Sequence, residues 1–247
     1  MKRKDEIKDF YNEFSKNLIR DRIYPNPRHK KIINYLKEVF KDYKFKSALE
    51  IGCGIGIISE YIAKNVENVS GIDISEENIK FAKTTVKYVN FYCSDFLEYQ
   101  MENKFDLITL FDVLEHIPKE IHQDVFKRIS EISNTNTIIL VTIPDPYYLN
   151  HIKENNPEKL QVVDESIYLI EILRIFNQYN LEVLTFEKYG IDYADQYNFY
   201  MLRFKNKNYK LNSVSLAEKK FLLFLTEKLF NRIKKIYGQF IYRKYLK

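Results

Sequence analysis

Between Lys46 and Phe204 the chain alternates short apolar, β-branched or aromatic runs with stretches whose apolar residues recur at helical spacing. The runs that read as strands are Ser47 to Ile51, Val69 to Ile72, Val89 to Tyr92, Asp106 to Phe111, Thr137 to Ile143, Glu182 to Phe186 and Asn198 to Phe204. Helical patterns fall between them, over Ile57 to Lys64, Ser75 to Val86, Lys119 to Ile132 and Ser166 to Asn177. Crossovers this short, each carrying a helix, require parallel neighbours covered on both faces, which predicts an α/β, doubly wound seven-stranded sheet.

Two flanks lie outside that rhythm. Residues 1–45 carry Ile7, Phe10, Tyr11, Phe14 and Leu18 at helical spacing, then the breaker Tyr24-Pro25-Asn26-Pro27, then a second helical pattern from His29 to Phe40. This predicts a helical N-terminal cover, or lid, on a domain spanning 46–207. Residues 208–247 form an extension whose stretch from Leu216 to Lys247 is amphipathic, with Phe221, Leu225, Leu229, Ile233, Ile236 and Phe240 on one side. A helix packed on the body or on a second subunit is the reading preferred for it, ahead of peripheral contact with a membrane surface.

Composition narrows the class. With 247 residues, 45% hydrophobic and 30% charged, the chain can bury one substantial core and is not dominated by disorder. Its apolar run from Phe221 to Leu225 falls far short of the roughly 20 residues that cross a bilayer. The start, Met1-Lys2-Arg3-Lys4-Asp5-Glu6, turns acidic where a secretory signal turns apolar, so a cytoplasmic protein is expected. The net charge of +5 is a C-terminal feature: residues 216–247 carry +7 and the remainder −2, which argues against nucleic acid as a partner. Two cysteines, Cys53 and Cys93, provide neither a disulfide framework nor a four-ligand zinc site, and are expected to be buried thiols.

The most informative stretch is Ala48-Leu49-Glu50-Ile51-Gly52-Cys53-Gly54-Ile55-Gly56, a strand ending in a loop with glycine at every second position. Such a loop turns tightly and lets a ligand lie against backbone, at the carboxyl ends of the strands. Seventeen residues past Gly56 comes Asp73, in Gly71-Ile72-Asp73-Ile74-Ser75, where a carboxylate can accept both hydroxyls of a ribose. A dinucleotide fingerprint would need a third glycine where Ile57 stands, so a pyrophosphate is disfavoured. Cys93-Ser94-Asp95-Phe96 follows the third strand and offers a carboxylate and an aromatic ring to an adenine; the fourth strand runs into Phe111-Asp112-Val113-Leu114-Glu115-His116-Ile117-Pro118.

Through Leu49 to Gly56, Gly71 to Ser75, Ser94-Asp95 and Phe105 to Pro118 the sequence resembles the class I S-adenosylmethionine-dependent methyltransferases. The resemblance implies a Rossmann-like sheet with its last strand antiparallel and S-adenosyl-L-methionine as cofactor. It also implies that Glu50 with Gly52, Cys53, Gly54 and Gly56 holds the methionine part, Asp73 with Ile74 the ribose, and Asp95 with Phe96 the adenine, with Phe111 and Asp112 beside them. Phe10 to Ser15, Asn26-Pro27-Arg28 and Asn155 to Glu165 further resemble a branch found in bacterial surface-polysaccharide (capsule or O-antigen) biosynthesis, which implies a glycan-related acceptor. The expected reaction is methylation of an oxygen on a polysaccharide precursor sugar or on its phosphate or phosphoramidate decoration. Methylation of another small metabolite at nitrogen or oxygen, and a non-catalytic cofactor-binding module, are the alternatives. An oligomer is left open.

A neutral sugar hydroxyl needs a general base, whereas an anionic phosphate oxygen needs only cationic positioning. His116 is the candidate base, with a loop-ordering role the alternative. His151 lies in a loop past the fifth strand, and His122 and His29 are expected at the surface. Tyr11, Arg28, Tyr147, His151, Gln196 and Tyr197 are the acceptor candidates, tyrosine because it offers a flat face for a sugar ring and a hydroxyl. Asp112, Glu115 and His116 lack a second carboxylate pair, so a metal-free site is expected.

Overall fold

The computed structural model describes residues 4–24, 26–101 and 103–205; the C-terminal extension at 208–247 lies outside the described residues. The chain opens with α1 (Lys4–Ile23) and α2 (Pro27–Asp42). It continues through β1 (Ser47–Ile51), α3 (Ile57–Ile62), β2 (Asn68–Asp73), α4 (Glu76–Thr85), β3 (Val89–Cys93) and β4 (Phe105–Phe111). Then come α5 (His122–Glu131), β5 (Ser133–Pro144), α6 (Pro146–Asn155), α7 (Leu169–Gln178), β6 (Leu181–Tyr189) and β7 (Tyr197–Phe204).

The strands form one sheet in the order β3-β2-β1-β4-β5-β7-β6, parallel except for β7, which runs antiparallel to both neighbours. This is the expected Rossmann-like sheet with its last strand antiparallel. The strand order reverses between β1 and β4, and the crevice outside their carboxyl ends is where such sheets bind ligands.

Alternating strand residues feed two cores. Leu49, Ile51, Ile108 and Leu110 pack with Phe126 and Ile129 of α5 and Ile172 and Phe176 of α7. Ala48, Leu107 and Leu140 face the other way, onto Ile32 and Leu36 of α2 and Ile58 and Ile62 of α3. Because both faces are covered, the central strands are mostly apolar rather than alternating, which is why they read as near-continuous runs.

Helix starts follow local chemistry. Asn26 accepts from the Arg28 amide ahead of Pro27, and Ser75 caps α4 ahead of Glu76 and Glu77. The segment after β5, expected as a loop, is α6: Asp145 accepts from the Tyr147 amide and Pro146 occupies the first helical position, so Asp-Pro starts a helix here instead of breaking the chain. Cys93, expected to be buried, is exposed at the end of the edge strand β3, while Cys53 is buried as expected. Among the described residues no helix is long and apolar enough to cross a membrane.

Candidate functional site

The loop between β1 and α3 is held in a conformation that glycine favours. Gly52 and Gly56 have φ of +69° and +80°. A Cβ on Gly52 would collide with the Val113 side chain, and one on Gly56 would come within 2.6 Å of the Phe91 ring. The Gly52 and Cys53 amides donate to the Ile72 carbonyl at 2.8 and 3.1 Å, tying the loop to β2.

Asp73, at the tip of β2, completes that tie. Its Oδ2 accepts from the Gly54 amide at 2.8 Å, and its Oδ1 accepts from the Ser75 amide at 2.8 Å and from Asn78 Nδ2 at 3.3 Å. Burial raises its pKa, and these donors oppose the rise. Glu50 is buried beneath the loop and accepts from Ser59 Oγ. Burial pushes its carboxyl up to about 8 despite that bond.

Above these groups lies a cavity of ≈ 390 Å³. Glu50, Gly52, Cys53, Gly54, Asp73, Ile74, Asp95, Phe96, Phe111, Asp112 and His116 all line it; Gly56 does not, being turned against Phe91 behind the loop. The opposite wall is the apolar face of α1, through Ile7, Tyr11, Phe14 and Leu18, joined by Arg28, His29 and Ile32 of α2. Polar contacts seat α1 on the body: Asn12 Oδ1 accepts from Ser75 Oγ at 2.9 Å, and Arg22 pairs with Glu60 at 3.1 Å.

One end of the cavity is densely charged. Arg28 Nε lies 3.2 Å from Asp112 Oδ2, whose other oxygen accepts from Thr142 Oγ1 at 2.8 Å. Burial works against the Arg28 charge, but Asp112 and Tyr197 together outweigh it and the guanidinium stays protonated. His116 Nδ1 lies 2.8 Å from the Val163 carbonyl, which can only accept, so in the neutral ring Nδ1 carries the proton and Nε2 the lone pair. Asp164 Oδ1 stands 3.2 Å from Nδ1 and Glu115 Oε1 3.8 Å from Nε2. Burial would lower the His116 pKa, yet these carboxylates raise it; burial lifts Glu115, which is 1% exposed, to about 8.

The remaining sequence candidates are placed elsewhere. Tyr147 is 71% exposed on α6, and His151, on the same helix, is exposed and bonded to Asn155. Gln196 is buried with its Oε1 accepting from the amides of Ile191 and Asp192, which shapes the turn before β7. Tyr197 stacks on Tyr189 and bonds Arg28 from behind, outside the lining. Neither remaining histidine sits at the surface as expected. His122 is 2% exposed, its Nε2 bonded to the carbonyls of Leu114 and Ile117, and His29 lines the cavity, kept neutral by burial and the Arg28 charge.

Sequence reasoning also missed Asn78 and Gln161. Asn78 stands five residues past Asp73, in the first turn of α4, a placement that could have flagged it. Gln161 reaches the cavity only because the segment before α7 is drawn in by long-range bonds, the Glu165 amide donating to the Glu115 carbonyl at 2.7 Å. Among the described residues no group of three His, Cys, Asp or Glu side chains is arranged to hold a metal ion.

A family model described as "Methyltransferase domain" matches residues 3–192. Curated relatives include the ubiquinone biosynthesis O-methyltransferases of Actinobacillus pleuropneumoniae serotype 7 and Coxiella burnetii. The first is 34% identical over 96 residues, 35% of this chain and 41% of that protein. The second is 38% identical over 80 residues, 30% of this chain and 34% of that protein. The matches therefore span about two fifths or less of these relatives' own length. Magnesium protoporphyrin IX methyltransferase from Synechocystis PCC 6803 with bound SAH superposes with a TM-score of 0.68 at 16% identity, covering 82% of this chain and 100% of that one. An S-adenosylmethionine-dependent methyltransferase from Clostridium acetobutylicum gives 0.63 at 17% identity, covering 79% and 99%. These structural likenesses show the fold.

Proposed function

The chain belongs to the methyltransferase domain family, and from that premise we propose that it transfers a methyl group from S-adenosylmethionine to the oxygen of a hydroxyl-bearing small acceptor. The observation that carries this reading is the cavity itself: a glycine cradle, the four carboxyl groups of Glu50, Asp73, Asp95 and Asp112 at or just past strand ends, and a histidine lie around one space. The cradle would be filled by any Cβ at Gly52, so backbone can approach a ligand there. Asp73 and Asp95 give that end of the lining a negative character, which suits a sulfonium cation and disfavours a pyrophosphate.

In this reading Glu50 and the Gly52–Gly54 backbone hold the methionine part, Asp73 accepts the ribose hydroxyls beside Ile74, and Asp95 with Phe96 receives the adenine. When bound, the cofactor supplies a methyl group on a positively charged sulfur that leaves as a neutral thioether and needs no acid. The protein's task is then alignment, exclusion of water and removal of the acceptor's proton. The α1 face excludes water. Because His116 keeps its Nδ1 proton on Val163, its Nε2 is the nitrogen that takes the proton, and Asp164 stabilises the imidazolium that results.

The relatives' role in ubiquinone biosynthesis lends no support to the narrower expectation of a surface-polysaccharide acceptor, so the acceptor class here is a hydroxyl-bearing small molecule. The test is to incubate the purified chain with methyl-labelled S-adenosylmethionine and fractionated cell metabolites. Label in an ether-linked product supports the reading. Label on nitrogen alone, or tight cofactor binding with no transfer to any fraction, contradicts it.

A further inference from the structure

Nearly all buried polar groups in folded proteins are hydrogen-bonded, so buried atoms left without partners around one cavity describe what its occupant brings. Four cavity-lining residues have such atoms, with no partner among the described residues: Tyr11 Oη, His29 Nδ1, Asn78 Oδ1 and Gln161 Oε1. Asn78 bonds Asp73 and belongs to the ribose end. The other three come from α1, α2 and the segment before α7, and they line the same cavity as His116 and Asp112. The Tyr11 ring lies 6.0 Å from the His116 ring. The Gln161 backbone N–H donates to Asp164, which contacts His116, and His29 lies within the electrostatic reach of both Arg28 and Asp112.

We propose that Tyr11, His29 and Gln161 form the acceptor-recognition subsite, and that the acceptor they select is a neutral compound presenting at least two hydroxyls, not a phosphate ester. This rests on the methyl-transfer reading above and goes further by choosing between its acceptor chemistries. Gln161 Oε1 can only accept, so the ligand must donate to it. His29, neutral, offers one donor and one acceptor nitrogen, and Tyr11 Oη can do either. A hydroxyl both donates and accepts, so a pair of hydroxyls can meet all three, whereas the oxygens of a phosphate dianion only accept and would leave Gln161 unmet. Charge agrees: Arg28 is already paired with Asp112 and His116 with Asp164, so among the described residues an added anion would meet no unpaired cation at this end of the lining.

The experiment uses the full chain saturated with S-adenosylhomocysteine and two probes of equal ring size, 1,2-cyclohexanediol and cyclohexyl phosphate, titrated by ligand-observed NMR. The diol is expected to bind at least about tenfold tighter than the phosphate. Gln161→Leu and His29→Leu are each expected to weaken it by about tenfold, the loss of one buried hydrogen bond, with affinity for S-adenosylhomocysteine kept within about twofold. Tighter binding of the phosphate, no binding of the diol, or diol binding indifferent to both substitutions overturns the proposal. Failure of the unaltered chain to bind S-adenosylhomocysteine at all is a different result: it brings down the methyl-donor reading and this subsite with it.

Discussion

Replacing Asp73 by asparagine separates two jobs that this one carboxylate is assigned. Its oxygens accept from the Gly54 and Ser75 amides at 2.8 Å each, on opposite sides of the group. Asparagine can keep one of these through its carbonyl, but its amide nitrogen then faces an N–H that it cannot accept from. One charge-assisted hydrogen bond is lost, about 1.5–3 kcal/mol, and a buried amide is left poorly paired. Taking about 2–3 kcal/mol as the sum, and about 2–4 °C per kcal/mol for a domain of this size, Asp73→Asn should lower the melting temperature by roughly 4–12 °C. Loss of the charged acceptor for the ribose hydroxyls should also weaken S-adenosylhomocysteine binding by about 10–100-fold, read by calorimetry below the melting transition. A lowered melting temperature with unchanged affinity would show that Asp73 only fastens the loop, and would refute the ribose assignment.

Other expectations follow from the same geometry. Because Glu115 and Asp164 raise the His116 pKa and the base must be unprotonated, activity should climb as pH rises above about 6.5. His116→Ala should slow transfer roughly 10²-fold and flatten that limb, and a wild-type rate indifferent to pH across it would contradict the assignment. Gly56→Ala places a Cβ at positive φ and 2.6 Å from Phe91, and should destabilise the fold by about 1–3 kcal/mol in denaturant titrations; no change would mean the loop is less tightly held than described. Burial lowers the His122 pKa, so the unfolded chain takes up a proton before the folded one and stability should drop as pH falls below about 6.5. His122→Gln should remove that share of the acid sensitivity, and an identical pH dependence in both proteins would contradict it.

The central strands were legible because a parallel sheet covered on both faces leaves a signature, near-continuous apolar runs, that local reading detects. The last strand's direction came from the family resemblance, since no local pattern distinguishes a strand that returns antiparallel. Helix α6 was hidden by Pro144 and Pro146, which look like breakers until Asp145 is seen to cap the helix. His122 and His29 were misplaced for a common reason: whether a histidine is buried depends on the distant groups that meet it. For His122 these are the carbonyls of Leu114 and Ile117 in the turns after β4, and for His29 the far wall of a cavity closed by α1. Glycine spacing located the cradle, yet the part of the site facing it from α1, α2 and the segment before α7 is assembled by contacts between residues far apart in the chain, such as His116 with Val163.

The central claim is that the space between the glycine loop and α1 accepts an adenosyl sulfur compound. Titrating the full chain by calorimetry with S-adenosylhomocysteine and, in parallel, with NAD tests it most directly. Saturable binding of S-adenosylhomocysteine with no measurable heat from NAD is the expected result. Binding of NAD, or of neither compound, would contradict it.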